Sequence, residues 1–177
     1  MLYGIAILWS FAEATLFFIV PDVFLTYLVI FNVKAAYWSC LLSLIGAMIG
    51  GACMYLWGAK NYSLAARTIA TLPGISNKLI VKEKENLLRT KLWAILLGPL
   101  KGIPYKIYAI LAPSSGISIL QFLGVSIPAR LPRFILSVVV TDLVFHNFLM
   151  NLTLGLKIAI LTAFWLIFYI AYFIKMR

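Results

Sequence analysis

The chain has 177 residues, of which 64% are hydrophobic and 11% are charged, and its formal net charge is +10. In a typical soluble domain about a quarter of all residues are charged, so this composition excludes an ordinary soluble protein and predicts an integral membrane protein. At about 20 residues per span, the apolar stretches allow about five membrane elements in one domain, residues 1–177. Because these stretches are continuous rather than alternating, we expect an all-α helical bundle and not a barrel.

The first apolar stretch, residues 2–33, is broken in two places. Glu13 lies in the middle of its apolar run, and Pro21-Asp22 interrupts it. Two interpretations stay open: a re-entrant hairpin that turns at Pro21-Asp22, or a single kinked span. The two halves are short, which favours the hairpin, and paired short segments of this kind are typical of a transport site. No basic region follows Met1, so we expect no cleavable signal peptide.

Residues 35–58 form the most regular predicted transmembrane helix. Gly46 and Gly50 lie four residues apart in it, and small residues at that spacing let a second helix approach closely. We therefore expect these glycines to seat a hairpin. Cys40 and Cys53 lie on the same helix, roughly 20 Å apart along its axis, so they cannot pair and are interpreted as packing residues.

Residues 60–91 are the polar connection of the chain. They hold seven of the fifteen Lys and Arg residues but only two acidic residues. This bias predicts a cytoplasmic connection of one or two amphipathic helices, split at Pro73-Gly74, on the membrane surface. It also accounts for much of the net charge, so no nucleic-acid partner is expected. The basic residues are Lys60, Arg67, Lys78, Lys82, Lys84, Arg89 and Lys91.

The second broken apolar stretch, residues 92–116, is where the chain concentrates its helix-breaking residues. Pro99 and Pro104 lack an N–H group and clash with the preceding turn, so regular helix is not expected between them. Broken backbone at membrane depth requires burial in protein or a wet cavity. We interpret the stretch as a second re-entrant hairpin whose tip presents Lys101 and Lys106 to an anion. The alternative is that both lysines extend to a headgroup layer.

Two further transmembrane helices are predicted at residues 117–145 and 152–174. The first contains Arg130 and Arg133, and a plain span would not keep two arginines at its middle. Either they face the hairpins, or they lie at the cytoplasmic interface and the span begins near Phe134. Three residues apart on a helix they share a face, so we expect both to meet the same partner. Lys175 and Arg177 at the end indicate a cytoplasmic C-terminus, which makes the two hairpins enter from opposite sides.

An enzyme is not expected from this sequence. His146 is the only histidine, and neither a paired-histidine arrangement nor an acidic metal cluster is present. The chain therefore offers no metal site, no cofactor site and no catalytic constellation.

The order of these elements resembles the DedA family of membrane proteins, whose wider group carries the VTT or SNARE-associated domain. The resemblance covers about residues 8–172 and is greatest with the short YqaA-like branch. It rests on Glu13 followed by Pro21-Asp22, the Gly-x-x-x-Tyr-x-x-Gly end (51–58) of the glycine-rich helix predicted at 35–58, the Gly98-Pro99-x-Lys101-Gly102-x-Pro104 hairpin, and Arg130-x-x-Arg133. The family usually has arginines in the second hairpin, where this chain has lysines.

The resemblance implies a lipid transporter, of flippase or scramblase type, in a bacterial-type inner membrane. Its substrate would be an anionic lipid phosphate, such as a polyprenyl phosphate or a phospholipid. The residues support the same interpretation, because a basic pair at a broken helix tip suits a lipid phosphate. The alternative is a small-ion or proton-coupled transporter without a lipid substrate. The expected phosphate contacts are Lys101 and Lys106, with Arg130 and Arg133 as second anion contacts, and Glu13 and Asp22 as proton-linked groups or ion-pair partners.

Overall fold

The computed structural model describes residues 2–176, and within this range the chain forms nine α-helices and no strand. The helices are α1 (Leu2–Ala14), α2 (Pro21–Phe31), α3 (Val33–Lys60), α4 (Tyr62–Ile69), α5 (Asn77–Thr90), α6 (Leu92–Leu97), α7 (Tyr105–Leu111), α8 (Ile119–Leu143) and α9 (Leu154–Met176). Turns of 3-10 helix at Pro99–Lys101 and Pro113–Ser115 flank α7, and a π-helical turn at Val144–Phe148 extends α8. The prediction of an all-α protein is confirmed. Arg177, on which the predicted C-terminal orientation partly rests, lies outside the described residues.

Three of these helices are long and apolar enough to cross a membrane, as the sequence predicted. They are α3, α8 together with its π-helical turn, and α9 over Leu154–Ile174. The 28 residues of α3 give a helix of about 42 Å, against a hydrocarbon core of about 30 Å. The 13 residues of α1 and the 11 residues of α2 give only about 20 Å and 17 Å.

The helices α1 and α2 fold back on each other. The Trp9 ring stacks on Phe24 with a centroid distance of 5.8 Å, and its Nε1–H donates to the Ile19 carbonyl at 3.1 Å. In one continuous helix, residues fifteen apart would be separated by about 22 Å. The chain therefore reverses between Ala14 and Pro21, and the two segments are not a single kinked helix.

The long helix α3 is the scaffold against which both broken segments pack. A side chain at Gly50 would approach the Phe11 carbonyl of α1 to 2.8 Å, and a side chain at Gly58 would approach the Ile110 carbonyl of α7 to 2.5 Å. Gly46 lies in the same way against the backbone of Ile7. The prediction that these glycines seat another helix is confirmed, and they serve α7 as well as α1.

Helix α7 is the most deeply buried element of the chain, since each of its seven residues is buried. It begins after a chain reversal in which Gly102 adopts φ +73°, a left-handed conformation that favours glycine, and Pro104 directly precedes the first helical residue. Helices α3, α4 and α5 pack against α7, and the Tyr105 side chain at its start contacts α8. The position of any side chain on α7 is therefore set from all directions.

The polar connection is docked onto this buried helix. Ser76 caps α5 by accepting a hydrogen bond from the Leu79 N–H, and Ile80 and Leu87 of α5 are buried. Between them Glu83 is also buried, and its Oε2 accepts hydrogen bonds from the Tyr108 hydroxyl at 2.7 Å and from the Asn86 amide at 2.9 Å. One side of α5 thus belongs to the protein core, which the sequence analysis did not predict.

Helix α8 continues through both of its prolines. Ser118 and Gln121 form a capping box at its start, and Pro128 and Pro132 are exposed, four residues apart on one side. Arg130 and Arg133 face α1 and α2 on the other side. Of the two interpretations left open, these contacts favour the one in which the arginines face the broken segments. The helix itself begins at Ile119, well before Phe134.

Candidate functional site

Two ion pairs join α8 to the first two helices. Arg130 contacts Glu13 through Nη2 and Oε2, and Arg133 contacts Asp22 through Nη2 and Oδ2. Ser137, one turn beyond Arg133, donates to the other oxygen of Asp22 at 2.6 Å. The two arginines share a face of α8 and both meet the α1–α2 segment, where each has its own carboxylate. Glu13 lies near the end of α1 and Asp22 at the start of α2, so the chain reversal separates the two carboxylates.

Lys106 is a buried cation that has no carboxylate partner among the described residues. Only 3% of its surface is exposed, and its Nζ donates to the Phe17 carbonyl at 2.5 Å. A lysine ammonium has three donors, and a buried charge without a counter-charge is costly. The loop between α1 and α2 therefore supplies Lys106 with a hydrogen bond but not with a neutralising charge.

Lys101 occupies a different environment from Lys106. It lies on the exposed 3-10 turn before Gly102, and among the described residues it has neither a hydrogen bond through its side chain nor an ion pair. The structure thus separates the two lysines that the sequence placed together: Lys106 points into the protein and Lys101 does not.

A cavity of about 150 Å³ lies where these groups meet. Its charged lining consists of Glu13, Lys106, Arg130 and Arg133, and Asp22 adjoins it through Arg133. Counted together, three cations face two carboxylates, which leaves an excess of one positive charge. The Nε of Arg130 is buried without a hydrogen-bond partner. The cavity thus combines a positive charge without a partner and a polar donor without an acceptor.

The opposite side of the cavity is apolar and comes from α9. Phe168, Tyr169 and Tyr172 line it, together with Phe18 from the loop after α1. The Tyr169 hydroxyl accepts a hydrogen bond from the Val20 N–H at 2.9 Å, which fixes α9 beside the first chain reversal. An anion in this cavity would have cations on one side and aromatic rings on the other. Two further segments complete the lining, the turn between α4 and α5 (Leu72, Pro73, Ile75) and the tip before α7 (Pro99, Gly102, Ile103, Pro104).

The aromatic ring of Tyr105 packs against the Arg130 guanidinium. The Cζ of Arg130 lies 4.4 Å from the centre of the Tyr105 ring, and the ring stacks on Phe122 with a centroid distance of 5.3 Å. The Tyr105 hydroxyl donates to Ser126 at 3.0 Å, and it lies against Gly51, where any side chain would collide with it. Packing from α3 and α8 thus fixes the ring, and the ring helps to fix the guanidinium.

Neither Tyr105 nor the aromatic wall of α9, formed by Phe168, Tyr169 and Tyr172, was predicted from the sequence. In an apolar transmembrane segment, aromatic side chains have no alternation with polar ones that would mark a particular face. For Tyr105 one signal was available, its position between Pro104 and Lys106 in a broken stretch. For Tyr169 and Tyr172 the sequence offers no comparable signal.

At the far end of α8, Asp142 and His146 form a surface pair at 2.6 Å, in which the histidine is 65% exposed. This pair lies three turns from Arg130 and does not line the cavity. Within residues 2–176, no three side chains of His, Cys, Asp or Glu come together as a metal site would require.

No protein-family model, no curated protein and no solved structure matches the chain.

Proposed function

We propose that this chain is an integral membrane protein that moves an anionic lipid phosphate, such as a polyprenyl phosphate or a phospholipid, across the bilayer. The observation that carries the proposal is Lys106. It is a buried cation beside a cavity, and the residues that the structure describes give it no ion-pair partner. Buried charges are usually paired, so an unpaired one beside a cavity indicates an anionic ligand.

Arg130 supports the assignment of a phosphate. Its guanidinium is held in one orientation by the Tyr105 ring and Glu13, while its Nε has no partner. Guanidinium groups bind phosphate oxygens through several parallel N–H donors. A phosphate beside Lys106 would accept from the lysine and from Arg130, and Arg133 would act as a second anion contact.

The short helices support a position of this site within the membrane. Helices α1 and α2 are shorter than the hydrocarbon core, and α6 and α7, with six and seven residues, are shorter still. In our proposal both pairs are re-entrant: they enter the bilayer, turn and leave on the same side. Since the two hairpins enter from opposite sides, their chain reversals bring the charged groups to middle depth, as in other transporters with broken helices.

The aromatic wall favours a lipid over a small ion. Phe168 and Tyr172 line the cavity from α9, a helix whose apolar window is only 6% buried by the rest of the protein. A headgroup in the cavity would thus be one helix away from the lipid phase, which its apolar chain requires. The resemblance to the DedA family, noted from the sequence, supports the same function.

The carboxylates provide a means of coupling transport to protons. A phosphate that binds Arg130 competes with Glu13 for the same guanidinium. A carboxylate displaced from its cation in a buried place favours protonation, because burial disfavours its charged form. In our proposal Glu13 toward Arg130, and Asp22 toward Arg133, are the groups that can take up a proton when a ligand brings more negative charge than the site can neutralise.

The proposal is tested by reconstitution of the full chain in liposomes with a labelled lipid phosphate. The measurement is the rate at which the label moves between leaflets. Lys106→Gln should lower the rate at least tenfold, since a loss of about 1.4 kcal/mol suffices for that.

Lys101→Gln is the matched variant, because it removes the same charge from the same hairpin outside the cavity. We expect it to keep most of the activity. Normal transport by Lys106→Gln would contradict the proposed phosphate site. Equal losses in both variants would place the phosphate at the exposed tip.

A further inference from the structure

The net charge of the residues around the cavity predicts the charge of the ligand as well as its chemical class. Three cations and two carboxylates meet there, and all are largely buried except for Arg133, whose side chain is 36% exposed. A ligand with one negative charge makes this group neutral. A ligand with two negative charges leaves one charge uncompensated.

Resting on the proposed function, we infer that the site accepts one net negative charge per ligand. A phosphodiester, which has one charge, binds as it is. A phosphomonoester, which has two charges above its second pKa of about 6, binds only together with one proton. The proton either stays on the phosphate or moves to Glu13, and the stoichiometry is one in both cases.

The magnitudes decide in favour of proton uptake. At pH 7, keeping the second proton on a phosphomonoester lowers its affinity about tenfold, because pH 7 is about one unit above its pKa. Burial of an uncompensated charge shifts the pKa of the group by about three to five units, which changes the ratio of its charged and neutral forms at least a thousandfold. The site therefore binds the protonated form even where that form is scarce.

Among the described residues that line the cavity, Glu13 is the one carboxylate, so it is the side chain that would accept that proton. Its own helix α1 contributes no other charged residue. The ionisable side chains that line the cavity with it come from α7, α8 and α9, and they are Tyr105, Lys106, Arg130, Arg133, Tyr169 and Tyr172. None of them is a carboxylate, so removal of Glu13 raises the excess positive charge from one to two.

Two probes that carry the same hexyl group distinguish the two charge states of the ligand. Hexyl phosphate is a monoester, and hexyl methyl phosphate is the diester with one added methyl group. Binding of each to the purified full chain in uncharged detergent is measured by titration calorimetry between pH 6 and 7. The titrations are repeated in two buffers of different ionisation enthalpy, which gives the number of protons taken up.

We expect the dissociation constant of hexyl methyl phosphate to stay constant over this range, with no proton uptake. That of hexyl phosphate should rise about fivefold from pH 6 to pH 7, with about 0.9 of a proton taken up at pH 7. In Glu13→Gln the monoester should bind without proton uptake, because the extra positive charge meets its second negative charge.

Monoester binding by the unaltered chain with constant affinity and no proton uptake would overturn the inference, and it would leave the phosphate site standing. Proton uptake with the diester would overturn it as well. Failure of both probes to bind would instead refute the anion site itself, and with it the proposed function. The comparison in the unaltered chain decides the question even if Glu13→Gln does not fold.

Discussion

The ion pair between Glu13 and Arg130 makes a quantitative prediction about stability. Both side chains are less than 10% exposed, so neither charge can turn to water when its partner is lost. Removal of one partner of such a pair costs about 3–5 kcal/mol, whereas replacement of both by neutral groups is close to neutral. We therefore expect Glu13→Gln to be strongly destabilising and Glu13→Gln with Arg130→Met to recover most of the loss.

The measurement is the midpoint of thermal unfolding in detergent for the two single variants and the double variant. In a chain of this length, about 3–5 kcal/mol corresponds to a shift on the order of 10 °C. The surface pair offers the matched control: His146 is 65% exposed, and Asp142→Asn should shift the midpoint by little, since exposed pairs contribute about 0–1 kcal/mol. If the midpoint shift of the double variant equals the sum of the shifts of the two single variants, the two residues are not coupled and the buried pair does not act as the structure indicates.

Three other predictions follow from the packing and the charge. Gly58→Ala should destabilise the chain by about 1–3 kcal/mol, because its new methyl group meets the Ile110 carbonyl, whereas Gly124→Ala, which meets nothing within 4 Å, should be neutral or stabilising in the same unfolding assay. Tyr105→Leu should weaken phosphate binding by about five- to thirtyfold, since it removes a cation–π contact of about 1–2 kcal/mol, and Tyr105→Phe should restore most of the binding. A cysteine at Lys82, in a Cys-free background, should be protected from an impermeant thiol reagent added outside intact cells, and labelling would reverse the orientation.

Much of the fold could be predicted because membrane helices have a strong signal in composition. The three long helices and the two breaks near Pro21 and Pro99 follow from apolar length and from proline chemistry. Helix α8 is the instructive exception. Two prolines and two arginines suggested an interruption, yet the helix continues, because the prolines share its exposed side while the arginines face carboxylates.

The candidate site was less predictable, because it depends on how the segments meet. The sequence gives the type of each charged group, but it cannot assign Arg130 to Glu13 and Arg133 to Asp22, or separate Lys106 from Lys101. That separation arises at Gly102, where a left-handed turn of one residue reverses the chain direction. The sequence has no feature that indicates on which side of such a turn a lysine is buried.

The contacts of the site connect ligand binding to the position of the first chain reversal. Three cations of the cavity contact the α1–α2 segment: Arg130 on Glu13, Arg133 on Asp22, and Lys106 on the Phe17 carbonyl. The Tyr169 hydroxyl, which accepts from the Val20 N–H, is a separate contact of the same segment. These three cations are the groups that a phosphate would bind. A ligand that engages them therefore competes with the contacts that hold this segment in place. Because Gly50 and its neighbours on α3 still hold α1 by backbone packing, a release would act on the loop at 15–20 and the start of α2 before it acts on α1.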